Sequence, residues 1–172
     1  KGPSSRIRDY THLADLTWKY PTGKADEHIN FIKHAVFPFI EKNYRVIHSR
    51  TFVGNSLGGL FGAYILLTQA NMFTNYVLGS PSVWYKQADI LKITAKKTLN
   101  KHQVFIAVGA HETPEFSHSQ HDMVKGANDL AAKLSSELFP NTKVKLLTIQ
   151  EATHETAFPT TATQGLYWLF KM

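Results

Sequence analysis

A serine between two glycines is the pattern in this sequence with the clearest chemical meaning. Residues Gly54-Asn55-Ser56-Leu57-Gly58 fit G-x-S-x-G, the signature of a nucleophile elbow, where a sharp strand-to-helix turn exposes a serine. A short apolar run precedes the pattern, and an apolar segment at 58–70, a predicted helix, follows it. Because the turn is crowded, we expect glycine to be required two residues before and two residues after the serine. The N-terminus of the following helix, which carries the positive end of the helix dipole, points at the serine hydroxyl. We therefore predict that Ser56 is a nucleophile.

A serine nucleophile needs a base, and histidine is the usual one. The sequence has nine histidines, and the elbow predicts the chain order serine, acid, histidine. His154 lies in the loop after the last predicted strand, where the base is expected. We therefore predict that His154 is the base.

The acid that orients the base is expected after the predicted strand 104–109. Glu112 lies three residues beyond Gly109 and is the first choice, with Glu115 and Asp122 as alternatives. Asp122 also suits the N-cap of the helix that follows. The acid is therefore predicted as Glu112, with the alternatives left open.

Three histidines in this region invite a metal hypothesis. His118 and His121 have the i, i+3 spacing that can clamp zinc on a helix, and His111 is nearby. A well-placed third ligand is not evident, so solvated loop histidines are favoured. We expect neither a metal nor an organic cofactor.

The alternation of predicted elements indicates the fold class. Apolar strands are predicted within 45–53 and at 76–80, 104–109 and 144–149, with helices between them and after the last. Short connections and strands apolar on both faces indicate α/β architecture: a mostly parallel sheet with helices on both faces. Ligands of such sheets bind beyond the carboxyl ends of the strands.

Other segments are predicted less regular. Residues 1–24 are predicted as loop, and a helix is predicted to begin after an N-cap at Asp26 and to kink or restart at Pro38. Residues 87–98 are predicted as a mixed-polarity helix. The 172 residues are predicted to form a single domain, 1–172.

Composition excludes several classes of protein. The chain has no cysteine and no apolar stretch of membrane-spanning length, which argues against disulfides and a membrane protein. The net charge is +6, but the basic residues are mostly spread singly without interleaved aromatic residues, which argues against nucleic-acid binding. The first residues do not resemble a signal peptide, and the compartment, cytoplasmic or periplasmic, is left open.

The sequence resembles the putative-esterase family that includes esterase D and the enterobactin (siderophore) esterases. The resemblance rests on the elbow together with other short stretches along nearly the whole chain. These are Arg8-Asp9-Tyr10-Thr11, Val53–Leu60, Ser80-Pro81-Ser82-Val83-Trp84-Tyr85, Val108–Glu112, Thr153–Pro159 and Gly165–Phe170.

The resemblance implies an α/β-hydrolase fold, with Ser56 as nucleophile and His154 as base. It also implies that the backbone N–H of Leu57 is an oxyanion-hole donor and that Trp84 and Tyr85 border the substrate pocket. Asn55 is also assigned to the substrate pocket; it stands where histidine is frequent in the family and alters the polarity beneath the serine. In some siderophore esterases of the family, catalysis depends on the serine and the histidine, and the acid of the triad contributes little or is absent.

The family begins its sheet with strands that lie before the Arg8 stretch, and these strands are not in this sequence. We therefore expect the chain to be the C-terminal portion of an α/β-hydrolase, a fragment with an open apolar edge at the elbow strand. That edge is expected to be covered by a missing N-terminal segment or by a second copy in a homodimer.

The functional hypothesis is a serine carboxylic-ester hydrolase that works through an acyl-enzyme on a siderophore-type or other small ester. The alternatives are an acyltransferase on the same scaffold and a catalytically idle binding module.

Overall fold

The chain folds into a parallel β-sheet with helices packed on both faces. The computed structural model describes residues 2–47, 49–94, 99–117 and 120–171. The strands are β1 (Thr51–Asn55), β2 (Asn75–Gly79), β3 (His102–Gly109) and β4 (Thr142–Ile149). The helices are α1 (Pro3–Tyr10), α2 (Ala25–Phe31), α3 (Phe37–Asn43), α4 (Leu57–Thr68), α5 (Tyr85–Ala88), α6 (Pro114–Ser117), α7 (Met123–Leu134) and α8 (Ala157–Phe170), with a π-helical turn at Ile32–Val36 and a 3₁₀ turn at Asp89–Lys92. No described helix is long and apolar enough to cross a bilayer.

The sheet has the strand order β1-β2-β3-β4, and every pairing is parallel. Side chains alternate between its faces: Tyr76 and Leu78 belong to one apolar cluster, and their neighbour Val77 belongs to the other. Helices α4 and α7 cover the first face, and α8 covers the second, where Leu169 packs. The predicted parallel α/β fold with helices on both faces is confirmed.

Strand β1, which leads into the elbow, lies at an edge of the described sheet. Its residue Val53 is 42% exposed, although β-branched residues at the centre of a sheet are normally buried. The expected open edge is therefore present among the described strands. Its coverage by further chain or by a second copy stays a prediction.

The N-terminal region differs from the prediction. Residues 1–24 are predicted as loop, but α1 occupies Pro3–Tyr10, with Pro3 in its first turn, where a missing N–H is harmless. The ring of Tyr10 stacks on Phe61 of α4, with centroids 5.3 Å apart. This polar helix is packed against the core through a tertiary contact that its own residues do not predict.

The structure corrects the predicted N-cap at Asp26 and shows how the chain accommodates Pro38. Lys24, not Asp26, is the N-cap of α2, and Asp26 instead accepts a hydrogen bond of 2.9 Å from the hydroxyl of Tyr64. The π-helical turn at Ile32–Val36 comes just before Pro38. A proline ring clashes with the carbonyl four residues earlier, and a wider turn at this point accommodates it.

The predicted helix at 87–98 is wrong for residues 87–94. Within α5, Lys86, Gln87 and Ala88 have left-handed backbone angles, with φ of 50°, 56° and 57°, so α5 is not a regular right-handed helix, and a short 3₁₀ turn follows it. Left-handed conformations are unfavourable for residues with a Cβ, so pattern alone does not predict them. Residues 95–98 lie outside the described part of the chain.

Candidate active site

Ser56 occupies a strained turn between β1 and α4. Its backbone has φ 59° and ψ −120°, a region that residues with a side chain rarely adopt. The N–H of Ser56 donates to the carbonyl of Gly79 at 2.9 Å, which fixes the turn against the end of β2. The arrangement matches the geometry expected of a nucleophile elbow.

The two glycines of the elbow have different roles. A Cβ on Gly54 would collide with the carbonyl of Gly58 and with the ring of Phe52. A Cβ on Gly58 would meet no described atom within 4 Å. The expectation that both positions need glycine is therefore correct for Gly54 and wrong for Gly58 in the described part of the chain.

His154 and Glu112 meet beyond the carboxyl ends of the strands. Nδ1 of His154 lies 2.6 Å from Oε2 of Glu112. His154 is in the loop after β4, and Glu112 is in the loop after β3. Parallel strands end at the same edge of a sheet, which is why two loops far apart in sequence converge here.

The other carboxylate oxygen of Glu112 is also hydrogen-bonded. Oε1 accepts from the hydroxyl of Ser80 at 2.6 Å and from the N–H of Gly109 at 2.7 Å. Burial by itself raises the pKa of Glu112, but the hydrogen bonds from His154, Ser80 and Gly109 outweigh it, so the pKa is lowered. Glu112 is therefore ionised at neutral pH, although only 1% of it is exposed.

The ionised carboxylate determines the tautomer of His154. A carboxylate can only accept hydrogen bonds, so Nδ1 of His154 carries the proton between them. Nε2 of the neutral ring is then the basic nitrogen. The hydrogen bond to Glu112 raises the pKa of His154 above its ordinary value, against the opposing effect of burial.

Ser56 and His154 line the same cavity, which has a volume of about 360 Å³. In this structure Oγ of Ser56 lies 3.3 Å from Oγ of Ser82, which also lines the cavity. No hydrogen bond joins the hydroxyl of Ser56 to the imidazole of His154 among the described contacts. Loose contacts between nucleophile and base are common in unliganded sites.

The predicted pocket residues lie in three different places. Trp84 lines the cavity and stacks on His121, with centroids 3.8 Å apart and planes 4° from parallel. Tyr85 has 0% exposure, and its hydroxyl donates to the carbonyl of Leu13 at 2.7 Å. The expectation that Tyr85 borders the pocket is corrected: it is a core residue behind Trp84.

Asn55 lines a separate hollow on the β1 side, together with Val53 and Phe158. Its Oδ1 is buried and has no hydrogen-bond partner among the described residues. This corrects the expectation that Asn55 belongs to the pocket around the serine. Side chains alternate along a strand, so Asn55, next to Ser56, is directed away from the cavity.

Leu57 is the first residue of α4. The first backbone N–H groups of a helix have no acceptor within the helix, so the N–H of Leu57 is available beside the hydroxyl of Ser56. This position is consistent with the predicted oxyanion-hole donor.

The alternative acids lie elsewhere. Glu115 is exposed on α6. Asp122 is the N-cap of α7, where its carboxylate accepts from the N–H of Lys125 at 2.8 Å. Of the three candidates, only Glu112 contacts His154 among the described residues.

The histidines considered as metal ligands do not form one cluster among the described residues. His111 lines the cavity and stacks on Phe116, with centroids 4.5 Å apart, while His121 stacks on Trp84. His118 lies outside the described residues. Within the described ranges, no three histidine or acidic side chains come together in a way that could hold a metal ion.

Sequence reasoning assigned no role to Ser80 or Ser82, and it considered His121 only as a metal ligand or a solvated loop residue. Ser80 and Ser82 belong to the Ser-Pro-Ser turn that directly follows β2. A polar turn at the carboxyl end of a predicted parallel strand is a usable signal, because ligands bind at that edge. The stacking of His121 on Trp84 has no counterpart in the sequence pattern.

Comparisons with known proteins agree with this geometry. A family model described as putative esterase matches residues 17–155, more than half of the chain. The ferri-bacillibactin esterase BesA of Bacillus subtilis is 32% identical over 149 residues, which cover 77% of this chain and 50% of BesA. The chain therefore spans half the length of this relative.

Solved structures resemble the whole described fold. The BES protein from Bacillus cereus superposes with a TM-score of 0.81 at 27% identity, covering 100% of this chain and 68% of that one. An IroE-like serine hydrolase from Shewanella oneidensis has a TM-score of 0.77 at 24% identity, covering 96% of this chain and 57% of that one, and shows the fold. On the family match and this fold, the chain belongs to the putative esterase family of α/β-hydrolases.

Proposed function

We propose that the protein that carries this sequence is a serine carboxylic-ester hydrolase that works through an acyl-enzyme. The observation that supports this most directly is the cavity shared by Ser56 and His154, with Glu112 hydrogen-bonded behind the imidazole at 2.6 Å. The strained backbone of Ser56 and its position at the start of α4 add to that support. Together these features supply a nucleophile, a base and an orienting acid.

In the proposed acylation step, Oγ of Ser56 attacks the ester carbonyl carbon while Nε2 of His154 takes the hydroxyl proton. Glu112 holds the Nδ1 proton and stabilises the imidazolium that forms. The N–H of Leu57 donates to the developing oxyanion. The carbon–oxygen bond to the alcohol then breaks, and the alcohol leaves with the proton from His154.

In the proposed deacylation step, His154 takes a proton from water, whose oxygen attacks the acyl carbon. The bond to Oγ of Ser56 breaks, the proton returns to Oγ, and the carboxylic acid leaves. A metal or organic cofactor has no part in this scheme.

The proposed substrate is a siderophore-type or other small ester. The Bacillus subtilis relative is a ferri-bacillibactin esterase, which favours the first class. Two pairs of stacked rings border the cavity, Trp84 with His121 and His111 with Phe116. Flat ring surfaces of this kind suit a small organic ester better than a charged polymer.

Labelling with a fluorophosphonate tests the proposal. We expect one adduct, located on Ser56 by peptide mass spectrometry, that is absent in Ser56→Ala and His154→Ala. Ser135→Ala is the matched control, because the hydroxyl of Ser135 binds the carbonyl of Ala131 at 2.9 Å on α7 and does not line the cavity. A folded protein that resists the label would overturn the proposal and favour a binding module.

Product analysis distinguishes hydrolysis from acyl transfer. We expect the free carboxylic acid as the main product with and without an added acceptor alcohol. A predominantly transesterified product would favour the acyltransferase alternative.

A further inference from the structure

The two oxygens of the Glu112 carboxylate have different partners. Oε2 faces Nδ1 of His154 at 2.6 Å. Oε1 accepts from the hydroxyl of Ser80 at 2.6 Å and from the N–H of Gly109 at 2.7 Å. A carboxylate held at one oxygen by two donors has little freedom to rotate, so the direction of the other oxygen is fixed as well.

Ser80 makes this contact from an unusual position. It has 0% exposure and lies directly after β2, where its N–H donates to the carbonyl of Ala107 at 2.7 Å. Its φ of 37° lies in the left-handed region, which is unfavourable for a residue with a Cβ. Backbone strain of this kind persists where surrounding structure holds it, and it concentrates at functional sites.

Gly109 completes the site from the neighbouring strand. A Cβ at this position would lie 3.0 Å from Oε1 of Glu112 and would collide with the carbonyl of Ala152. The absence of a side chain thus lets the carboxylate approach the backbone N–H. The end of β2 and the end of β3 therefore each supply one donor to the same oxygen.

We propose that Ser80 is a positioning residue that acts through Glu112: its hydroxyl fixes the carboxylate so that the second oxygen faces His154. This inference rests on the proposed function, in which Glu112 is the triad acid. The donated hydrogen bond also favours the ionised carboxylate against the effect of burial. Ser80 itself does not line the cavity and has no contact with a bound substrate in this scheme.

Two substitutions distinguish the effect of the Ser80 hydroxyl from the effect of the strained Ser80 backbone. Ser80→Ala removes the hydroxyl and keeps a Cβ in the strained conformation. Ser80→Gly removes the hydroxyl and relieves the strain, because glycine readily adopts positive φ. Thr161→Val is the control, since Thr161 is also fully buried but its hydroxyl binds the carbonyl of Ala157 at 2.9 Å within α8.

The first measurement is the pKa of His154 by NMR titration of its imidazole signals, which requires no activity. We expect both Ser80 variants to lower this pKa toward its ordinary value, in the direction caused by Glu112→Gln, because the carboxylate is held less firmly. Thr161→Val is expected to leave the pKa unchanged.

The second measurement is kinetic. We expect Ser80→Ala to lower kcat roughly tenfold, with KM changed less than about twofold, in keeping with the loss of one hydrogen bond to a charged group. In a Glu112→Gln background the same substitution is expected to change kcat less than about twofold, because its effect passes through the carboxylate.

Three results would overturn the proposal. They are an unchanged His154 pKa in both Ser80 variants, an equal loss of kcat with and without Glu112, and a failure of both variants to fold, which would mark Ser80 as structural. If the protein lacks esterase activity, the proposed function fails, but the NMR titration still decides whether Ser80 acts through Glu112.

Discussion

Glu112 Oε2 and His154 Nδ1 are 2.6 Å apart, although the two residues are separated by 42 positions in the chain. The contact joins the loop after β3 to the loop after β4, two strands that pair in parallel along their whole length. The parallel register places both loops at one edge of the sheet. This edge also holds Ser56, the third member of the proposed triad.

The contact predicts a large effect of Glu112→Gln. An amide at this position can donate to Nδ1 of His154, which favours the wrong tautomer. We expect kcat to fall on the order of 10⁴-fold, as in the serine-protease template, with little change in KM. Glu115→Gln is the matched control, because Glu115 is exposed on α6 and is expected to keep full activity. Equal losses in the two variants, measured by initial rates, would remove Glu112 from the triad.

The pKa of His154 predicts the pH dependence of kcat/KM. The hydrogen bond to Glu112 raises this pKa above its ordinary value of about 6.5, and only the neutral imidazole can accept the proton of Ser56. Activity is therefore expected to rise with pH through a midpoint above about 6.5. Glu112→Gln is expected to move the midpoint down. A wild-type midpoint well below the ordinary value, from a full pH–rate profile, would contradict the assignment.

The two elbow glycines predict opposite effects on stability. Gly54→Ala forces a Cβ against the carbonyl of Gly58 and is expected to lower the free energy of unfolding by roughly 2 kcal/mol or more. Gly58→Ala places a Cβ in open space within α4 and is expected to raise it by about 0.5–1 kcal/mol. Denaturant unfolding of both variants measures the difference, and a larger loss for Gly58→Ala would contradict this account.

Trp84 lines the cavity, whereas its neighbour Tyr85 lies in the core, so substitutions at the two positions are expected to affect different properties. Tyr85→Phe loses the hydrogen bond to Leu13 and is expected to lower the free energy of unfolding by about 1 kcal/mol without a change in kcat/KM. Trp84→Ala removes one side of the cavity and is expected to lower kcat/KM clearly, with only a small change in the free energy of unfolding. Steady-state kinetics beside thermal unfolding distinguishes the two, and the reverse pattern would place Tyr85 in the pocket.

The exposed edge at β1 predicts self-association of the 172-residue chain in isolation. Among the described strands none pairs with the outer side of β1, so its backbone groups beside a 42% exposed Val53 form a template for pairing with another strand, and a lysine there should oppose it. We expect Val53→Lys to shift the chain toward monomer in sedimentation velocity. Tyr167→Lys, which removes an exposed apolar side chain on α8, is the control. A monomeric wild-type chain at all concentrations would contradict the expectation.

Local pattern was sufficient for much of the fold. The apolar run before Ser56, the apolar run at 104–109 and the N-cap pattern at Asp122 each predicted an element that the structure contains. Periodicity carries this information because it records which faces are buried. Where burial depends on a distant partner, the pattern is weak. Helix α1 packs Tyr10 on Phe61, and nothing in its own residues indicates that contact.

The order of residues along the chain was enough to predict the chemical types: a serine at a strand-to-helix turn, an acid after the third strand and a histidine after the last. The folded structure was needed to show which acid contacts the histidine, that Tyr85 lies in the core and that Asn55 lies outside the cavity. It also revealed Ser80 as the partner of Glu112. The reason is physical, because local spacing records secondary structure, whereas contacts between loops depend on strand register and side-chain packing across the sheet edge.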